Sequence, residues 1–157
     1  MKEKYHRLPL RSGVGIVLLN KENKILVAKR IDNPKNFWQM PQGGVDKDED
    51  FYTAALRELK EETSIVSVKP IKEIEENLTY ILPDHLIGII WKGKYKGQKQ
   101  KWFLMRFIGN DNEININTTN PEFLDWKWID LDLITDVVVD FKHHVYKELK
   151  EKVKKLI

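Results

Sequence analysis

Three glutamates crowd one short stretch, "RELKEETSI" (57–65): Glu58, Glu61 and Glu62. On a helix turning about 100° per residue, with Glu58 at zero, Glu61 falls at about −60° and Glu62 at about +40°. The three carboxylates then share an arc of roughly 100°. Tyr52, Ala55, Leu56 and Leu59 fill the adjoining arc, so the acids sit at the edge of the face that the helix buries. Like charges three or four residues apart repel by a few tenths of a kcal/mol per pair. They also lie toward the helix C-terminus, where the dipole disfavours anions. Local stability gives no reason for the cluster. A hard divalent cation does, because Mg²⁺ takes oxygen ligands and binds through a few carboxylates, waters and substrate phosphates. Taken alone, the pattern also fits a solvated acidic face partnered by Arg57 and Lys60.

The elements around the acids must hold them in place. Residues 50–63 carry a helical period, and "NPKNFWQMPQGG" (33–44) before them reads as loop. Gly43 and Gly44 suit a tight turn whose backbone approaches a ligand. "GVGIVLLN" (13–20) and "KILVAKRI" (24–31) read as a hairpin around "KEN". "IKEIEENLTYIL" (71–82), "LIGIIWKGKY" (86–95), "QKWFLMRFI" (100–108) and "FLDWKWID" (123–130) read as further strands. In the third of these, Trp102 and Leu104 face one side while Phe103, Met105 and Phe107 face the other. Two apolar faces predict an interior strand covered on both sides. Residues 111–121 are a polar connection. In the tail, Val145, Leu149 and Val153 recur every fourth residue, which predicts a closing amphipathic helix with its lysines in solvent. This order predicts an α/β chain, a mixed sheet with helices on both faces.

The acids also stand at set distances from upstream residues. Glu49 follows Gly43 by six positions, and Arg57 follows Glu49 by eight. With Leu59, Glu61, Glu62 and Ile65 this matches G-x5-E-x7-R-E-U-x-E-E-x-G-U, where U is a bulky aliphatic. The chain here resembles the Nudix hydrolase family, departing only at Ser64, where the family has glycine. That glycine serves a left-handed helix end, so serine should cost up to about 1 kcal/mol without touching a ligand. The resemblance implies the Nudix α/β/α sandwich. It also implies hydrolysis of a diphosphate linked to another moiety, with Mg²⁺ or Mn²⁺, two or more per active site. By position it makes Glu58, Glu61, Glu62 and the Gly43 carbonyl metal ligands. Glu49 would pair with Arg57 and orient the helix. Glu58 and Glu61 both stand as general-base candidates.

Further stretches narrow the branch. "LRSGVGIVLLN", "AKRI", "WQMPQGG", "GQKQKWFLMRF", "PEFLDWKW" and "DFKHHVY" resemble the bacterial RNA 5′-pyrophosphohydrolases, a branch overlapping the dinucleoside oligophosphate pyrophosphatases. This implies Arg11, Arg30, Lys99 and Lys142 on substrate phosphates and Phe141 stacked on a nucleobase. Glu122 would be a further metal ligand or catalytic base. Ser12 stands where that branch commonly has proline, which bears on the rigidity of an Arg11 loop. The expected activity is removal of pyrophosphate, or of phosphates stepwise, from the 5′-triphosphate end of RNA, which promotes RNA decay. The alternative is asymmetric hydrolysis of dinucleoside polyphosphates. A non-catalytic nucleotide-binding module and a nucleotide-sugar pyrophosphatase fit less well. Judged singly, Arg11, Arg30 and Glu122 read as ordinary surface charges, and Phe141 as a staple for the last helix. His143 and His144 read as surface residues, and Trp38, Trp126 and Trp128 as core or loop anchors.

Bulk properties set the outer limits. The 157 residues suit one domain, residues 1–157, with enough chain for a real core. The absence of cysteine excludes disulfides and thiolate metal sites and is compatible with a reducing, cytoplasmic setting. The opening "MKEKYHRLPL" does not read as a secretory signal, and no segment approaches a membrane span. A net charge of +3 permits an anionic partner without requiring one. A monomer acting on RNA or a dinucleoside polyphosphate, with no DNA or membrane partner, is expected.

Overall fold

Val14–Leu19, the second half of the stretch Leu10–Leu19, is apolar on both sides. In the computed structural model, which describes residues 3–33 and 35–157, the whole stretch is the central strand β1. Met1, Lys2 and Pro34, part of the expected N-terminal segment and of the loop, lie outside the described residues. The other strands are β2 (Ile25–Arg30), β3 (Gln42–Gly44), β4 (Val68–Glu73), β5 (Leu78–Ile81), β6 (Gly97–Phe107) and β7 (Phe123–Ile129). The helices are α1 (Phe51–Thr63), the short α2 (Ile134–Val137) and α3 (His143–Lys154).

The sheet runs β4-β6-β1-β2-β7, with β3 paired to β1 and β5 to β6. β1 and β6 pair in parallel from Leu10↔Gly97 to Leu19↔Arg106, and the other pairs are antiparallel, so the sheet is mixed. β6 lies in the interior as its two apolar faces predict. Trp102 and Leu104 join a core cluster with Val145, Tyr146, Leu149 and Val153 of α3. Phe103, Met105 and Phe107 join a second cluster with Ala54, Ala55 and Leu59 of α1. Helices thus cover both faces, giving the expected α/β/α sandwich.

Each end of α1 is fixed locally. Asp50 accepts a hydrogen bond from the Thr53 amide at 2.7 Å, capping the N-terminus. At the other end Ser64 adopts φ 67°, ψ 6°, the left-handed conformation for which glycine is favoured. Its amide donates to the Lys60 carbonyl, and its hydroxyl donates to the Asn115 carbonyl at 2.8 Å. That second bond offsets part of the cost expected of a serine here. It also ties the helix exit to the polar connection, where Glu113 accepts from the amides of Val66 and Ser67.

Two strand expectations need correction. Residues 71–82 form not one strand but the ends of β4 and β5, separated at the polar Glu75–Glu76–Asn77. Residues 86–95 are not a strand. They form turns and a 3-10 segment, Ile90–Gly93, with Gly88, Trp91, Lys92 and Gly93 all at positive φ. Backbone bonds there are local, such as Ile87 to Pro83 and Ile90 to Leu86. Ile87 is buried, and Leu86, Ile90 and Trp91 pack against the α3-side core. This segment is apolar because it covers the core, not because it alternates. Two successive non-glycine residues in the left-handed region cost about 1–2 kcal/mol each, which the packing must offset.

Two local expectations also change. Gly43 and Gly44 lie in β3, opposite Val14 and Gly13, and not in a tight turn. Arg11 and Ser12 lie in β1, paired to Gln98 and Lys99, so strand pairing fixes the Arg11 backbone without a proline.

Candidate active site

Arg57 organises the acids of α1. Its guanidinium makes two bonds to Glu49, both 2.9 Å, one to Glu58 at 2.9 Å and one to Glu61 at 3.2 Å. It also donates to the Gly44 carbonyl at 2.9 Å, joining helix to β3. The bond from Arg57 holds the Glu49 carboxyl down at about 2, so Glu49 stays ionised across the neutral range. The same partner raises Arg57 further above its already high value.

The three helix glutamates have unequal surroundings. Glu61 is exposed, Glu58 is partly buried and Glu62 is buried. Burial pushes the Glu58 carboxyl up to about 7, against the pull of Arg57. Burial also holds Glu62 well above the ordinary carboxylate range, with Glu122 and Glu58 adding to the effect. Glu122, from the loop before β7, is thereby placed beside both helix acids. Its backbone carbonyl accepts from the Ile31 amide at 2.9 Å, fixing that loop to the end of β2.

The residues fit a divalent cation. One buried oxygen of Glu62 has no hydrogen-bond partner, and desolvated, mutually repelling carboxylates are the groups a bound cation would relieve. Among the described residues, no three or more His, Cys, Asp or Glu side chains are gathered into a ready-made metal-holding group. Mg²⁺ is consistent with that, since it keeps several waters and binds one or two carboxylates together with substrate phosphates.

Cations gather across from the acids. Arg30 forms a two-bond pair with Asp32, both bonds 2.8 Å, and feels the charges of Glu122 and Glu62. Lys142 is buried at the start of α3, its Nζ 3.5 Å from Gln39 Oε1. Burial and the Arg30 charge pull its ammonium down to about 7, against Glu62 and Asp32. Phe141 packs beside Tyr80, ring centroids 5.6 Å apart, at the edge of the α3-side core. Arg11 and Arg30 both act on the Tyr80 hydroxyl, which places Arg11 in the same neighbourhood.

Lys99 is the residue not brought to this group. Side chains alternate along β6, so Lys99 points away from Gln98 and Gln100, toward the α1 side. There it lines a shallow pocket with Ser12, Phe51, Asn77 and Lys101.

Sequence reasoning missed a glutamine network beneath the site. Gln100 Nε2 donates to Gln98 Oε1 at 2.9 Å and to Gln42 Oε1 at 3.2 Å. The Tyr80 hydroxyl donates to Gln98 Oε1 at 3.0 Å, and Trp102 Nε1 to Gln100 Oε1 at 3.0 Å. "PQGG" and "GQKQKWF" supply Gln42, Gln98, Gln100 and Trp102, so the two most distinctive stretches meet here. Asp32, Gln39 and Tyr80 carried no such signal.

A mixed sheet between helices, with a helix whose acids converge on one arginine beside a Gly-Gly strand, defines a Nudix-fold protein. The NUDIX domain family matches residues 9–150, and the chain belongs to that family. Nudix hydrolases generally use divalent metal ions such as Mg²⁺ or Mn²⁺. The chain is 68% identical over 157 residues to an RNA pyrophosphohydrolase of Pelagibacter ubique, covering 100% of this chain and 99% of the relative. It is 47% identical over 149 residues to the RNA pyrophosphohydrolase of Sphingopyxis alaskensis, covering 94% of each. Its fold is similar to an E. coli dihydroneopterin triphosphate pyrophosphohydrolase, at a TM-score of 0.68, 20% identity, and coverage of 92% of this chain and 99% of that one. It is also similar to a C. elegans Ap4A hydrolase, at a TM-score of 0.64, 19% identity, and coverage of 91% and 98%.

Proposed function

We propose that this chain removes pyrophosphate, or phosphates stepwise, from the 5′-triphosphate end of RNA, leaving a monophosphorylated end that hastens decay of the transcript. The observation that carries this reading is the 68% identity, across the whole chain, to a relative named RNA pyrophosphohydrolase. The retained carboxylates favour an enzyme over a binding module.

In this reading Glu58, Glu61, Glu62, Glu122 and the Gly43 carbonyl would hold Mg²⁺ or Mn²⁺, two or more per site, which when bound would neutralise the polyphosphate and lower the pKa of attacking water. A water oxygen bonds to phosphorus, the anhydride P–O bond breaks, and the leaving phosphate carries away the bonding pair. The proton passes to Glu58, Glu61 or Glu122. Arg11, Arg30 and Lys142 hold the phosphates and stabilise charge on the leaving group. Phe141 offers its ring to the terminal base, a contact worth roughly 1–3 kcal/mol. Glu49 and Arg57 orient the helix. Lys99, on the α1-side face of β6 beside Ser12, Phe51, Asn77 and Lys101, remains a further phosphate contact. We place this activity in a single-domain cytoplasmic monomer without DNA partners. Among the described residues no helix is long and apolar enough to cross a membrane.

A substrate panel with product identification tests the reading. Triphosphorylated RNA should be turned over well, with pyrophosphate or orthophosphate identified as product. Poor RNA turnover with efficient cleavage of diadenosine pentaphosphate would transfer the site to dinucleoside polyphosphates. No phosphate release in Mg²⁺ or Mn²⁺ would favour a binding module. Glu61→Gln, which removes a charge and no packing, should lower turnover by orders of magnitude.

A further inference from the structure

We infer that Trp91 is a positioning residue: with Gly44 it forms a slot that holds the Arg11 guanidinium and presents Arg11 to substrate phosphate. This deepens the functional reading above and rests on its assignment of Arg11 to phosphate.

Both walls of the slot are visible. A β-carbon on Gly44 would fall 2.7 Å from Arg11 Cζ and 3.1 Å from its Nε, so the guanidinium lies directly on the strand backbone. Arg11 Cζ also stands 5.2 Å from the centre of the Trp91 ring, within cation–π range. The ring and the strand backbone together restrict the guanidinium. Its in-plane N–H donors are the groups that bond phosphate oxygens in pairs.

Trp91 packs against the α3-side core in an uncommon backbone conformation. Trp91 (φ 55°, ψ 36°) and Lys92 (φ 58°, ψ 26°) are successive left-handed residues, bracketed by Gly88 and Gly93. Tyr95 meets the indole edge-on at 6.1 Å. The segment is tied back to the N-terminal residues, with the Lys96 amide donating to the Pro9 carbonyl. Trp91 is partly buried, so its indole packs on the core and still reaches Arg11. Gly44 also receives Arg57, which bonds Glu58. One residue of β3 therefore sets the spacing between the Arg11 slot and the carboxylate helix.

The test uses Trp91→Ala and Trp91→Phe, each alone and with Arg11→Ala. The first readout is the Arg11 Nε–H resonance, which the indole ring current displaces, followed during titration with inorganic tripolyphosphate. Trp91→Ala should abolish the displacement and weaken tripolyphosphate binding about tenfold, the upper range of a cation–π contact. Trp91→Phe should retain most of both. With triphosphorylated RNA, Trp91→Ala should raise KM about tenfold and change kcat less than about threefold. In the Arg11→Ala background it should add nothing. An unchanged Arg11 resonance in Trp91→Ala, or an equal loss of binding with and without Arg11, would overturn the inference. Failure of the wild type on RNA would remove the substrate assignment only, because the resonance and tripolyphosphate titration still decide the slot.

Discussion

The Glu58 side chain lies against the α-carbon of Gly43, so closely that any β-carbon there would overlap its carboxylate. The next residue, Gly44, takes Arg11 in the same way. Successive residues of a strand face opposite sides. The Gly-Gly pair therefore admits an acid on one side of β3 and a cation on the other.

Gly43→Ala should displace Glu58 by about the width of a methyl group. A misplacement of about 1 Å typically costs a hundredfold in rate, so kcat on triphosphorylated RNA should fall about a hundredfold. A thermal melt close to wild type would show that the loss is local. Normal kcat with a normal melt would mean that Glu58 works from another position.

The raised carboxylates set a pH dependence for the metal-free protein. Glu58 titrates at 4.5 when unshifted and at about 7 here, so the folded state holds its proton more tightly. Its contribution to stability is complete below about pH 4.5 and is lost as pH rises to about 7. Glu62, raised for the same reason, extends the loss upward. Glu49, lowered to about 2, acts only below 4.5 and leaves that window clear. In EDTA the melting temperature should fall from pH 4.5 to 7. Glu62→Gln should flatten the fall, and added Mg²⁺ should restore stability. A flat profile in wild type would refute the burial argument.

Lys142 works in the opposite direction. Its ammonium drops from 10.5 to about 7 on folding, so the unfolded chain holds that proton more tightly. Stability from this group rises between pH 7 and 10.5 and is lowest below 7. Lys142→Met should raise the melting temperature at pH 6.5 and lift KM about 10- to 100-fold, the worth of a hydrogen bond to a charged group. A lowered melting temperature with unchanged KM would make Lys142 a structural residue.

Ser64 separates backbone strain from a side-chain bond. Ser64→Ala keeps the left-handed strain and loses the bond to Asn115, and should cost about 1 kcal/mol in a denaturant melt. Ser64→Gly loses the bond and also the strain, so it should differ from wild type by less than about 0.5 kcal/mol. Equal losses in both variants would show that the hydroxyl alone matters.

Periodicity made much of this legible from residues alone. The two apolar faces of Trp102–Phe107 announced an interior strand, and the helical period over residues 50–63 located α1. Arg57 lay within reach of Glu49 and Glu61 by spacing, and the structure makes both pairs. What spacing cannot convey is a contact formed across the fold. The segment 86–95 is as apolar as a strand, but its glycines and left-handed residues bend it over the core. Gln42, Gln98 and Tyr80 sit on three different strands, so their network exists only once the sheet is assembled. Strand alternation likewise separates Lys99 from Gln98 and Gln100, a side-chain direction that the stretch "GQKQKWF" does not state by itself.

The parallel pairing of β1 with β6 also governs how the chain reaches this state. Residue 10 must find residue 97, and no hairpin brings them together. At about 5–20 residues per second on the ribosome, the roughly 90 intervening residues take several seconds to emerge. Until then the apolar run from Val14 to Leu19 has only part of its eventual cover. Such distant pairing places folding at the slow, millisecond-to-second end for a chain of this size, with the nascent first half exposed to aggregation while it waits.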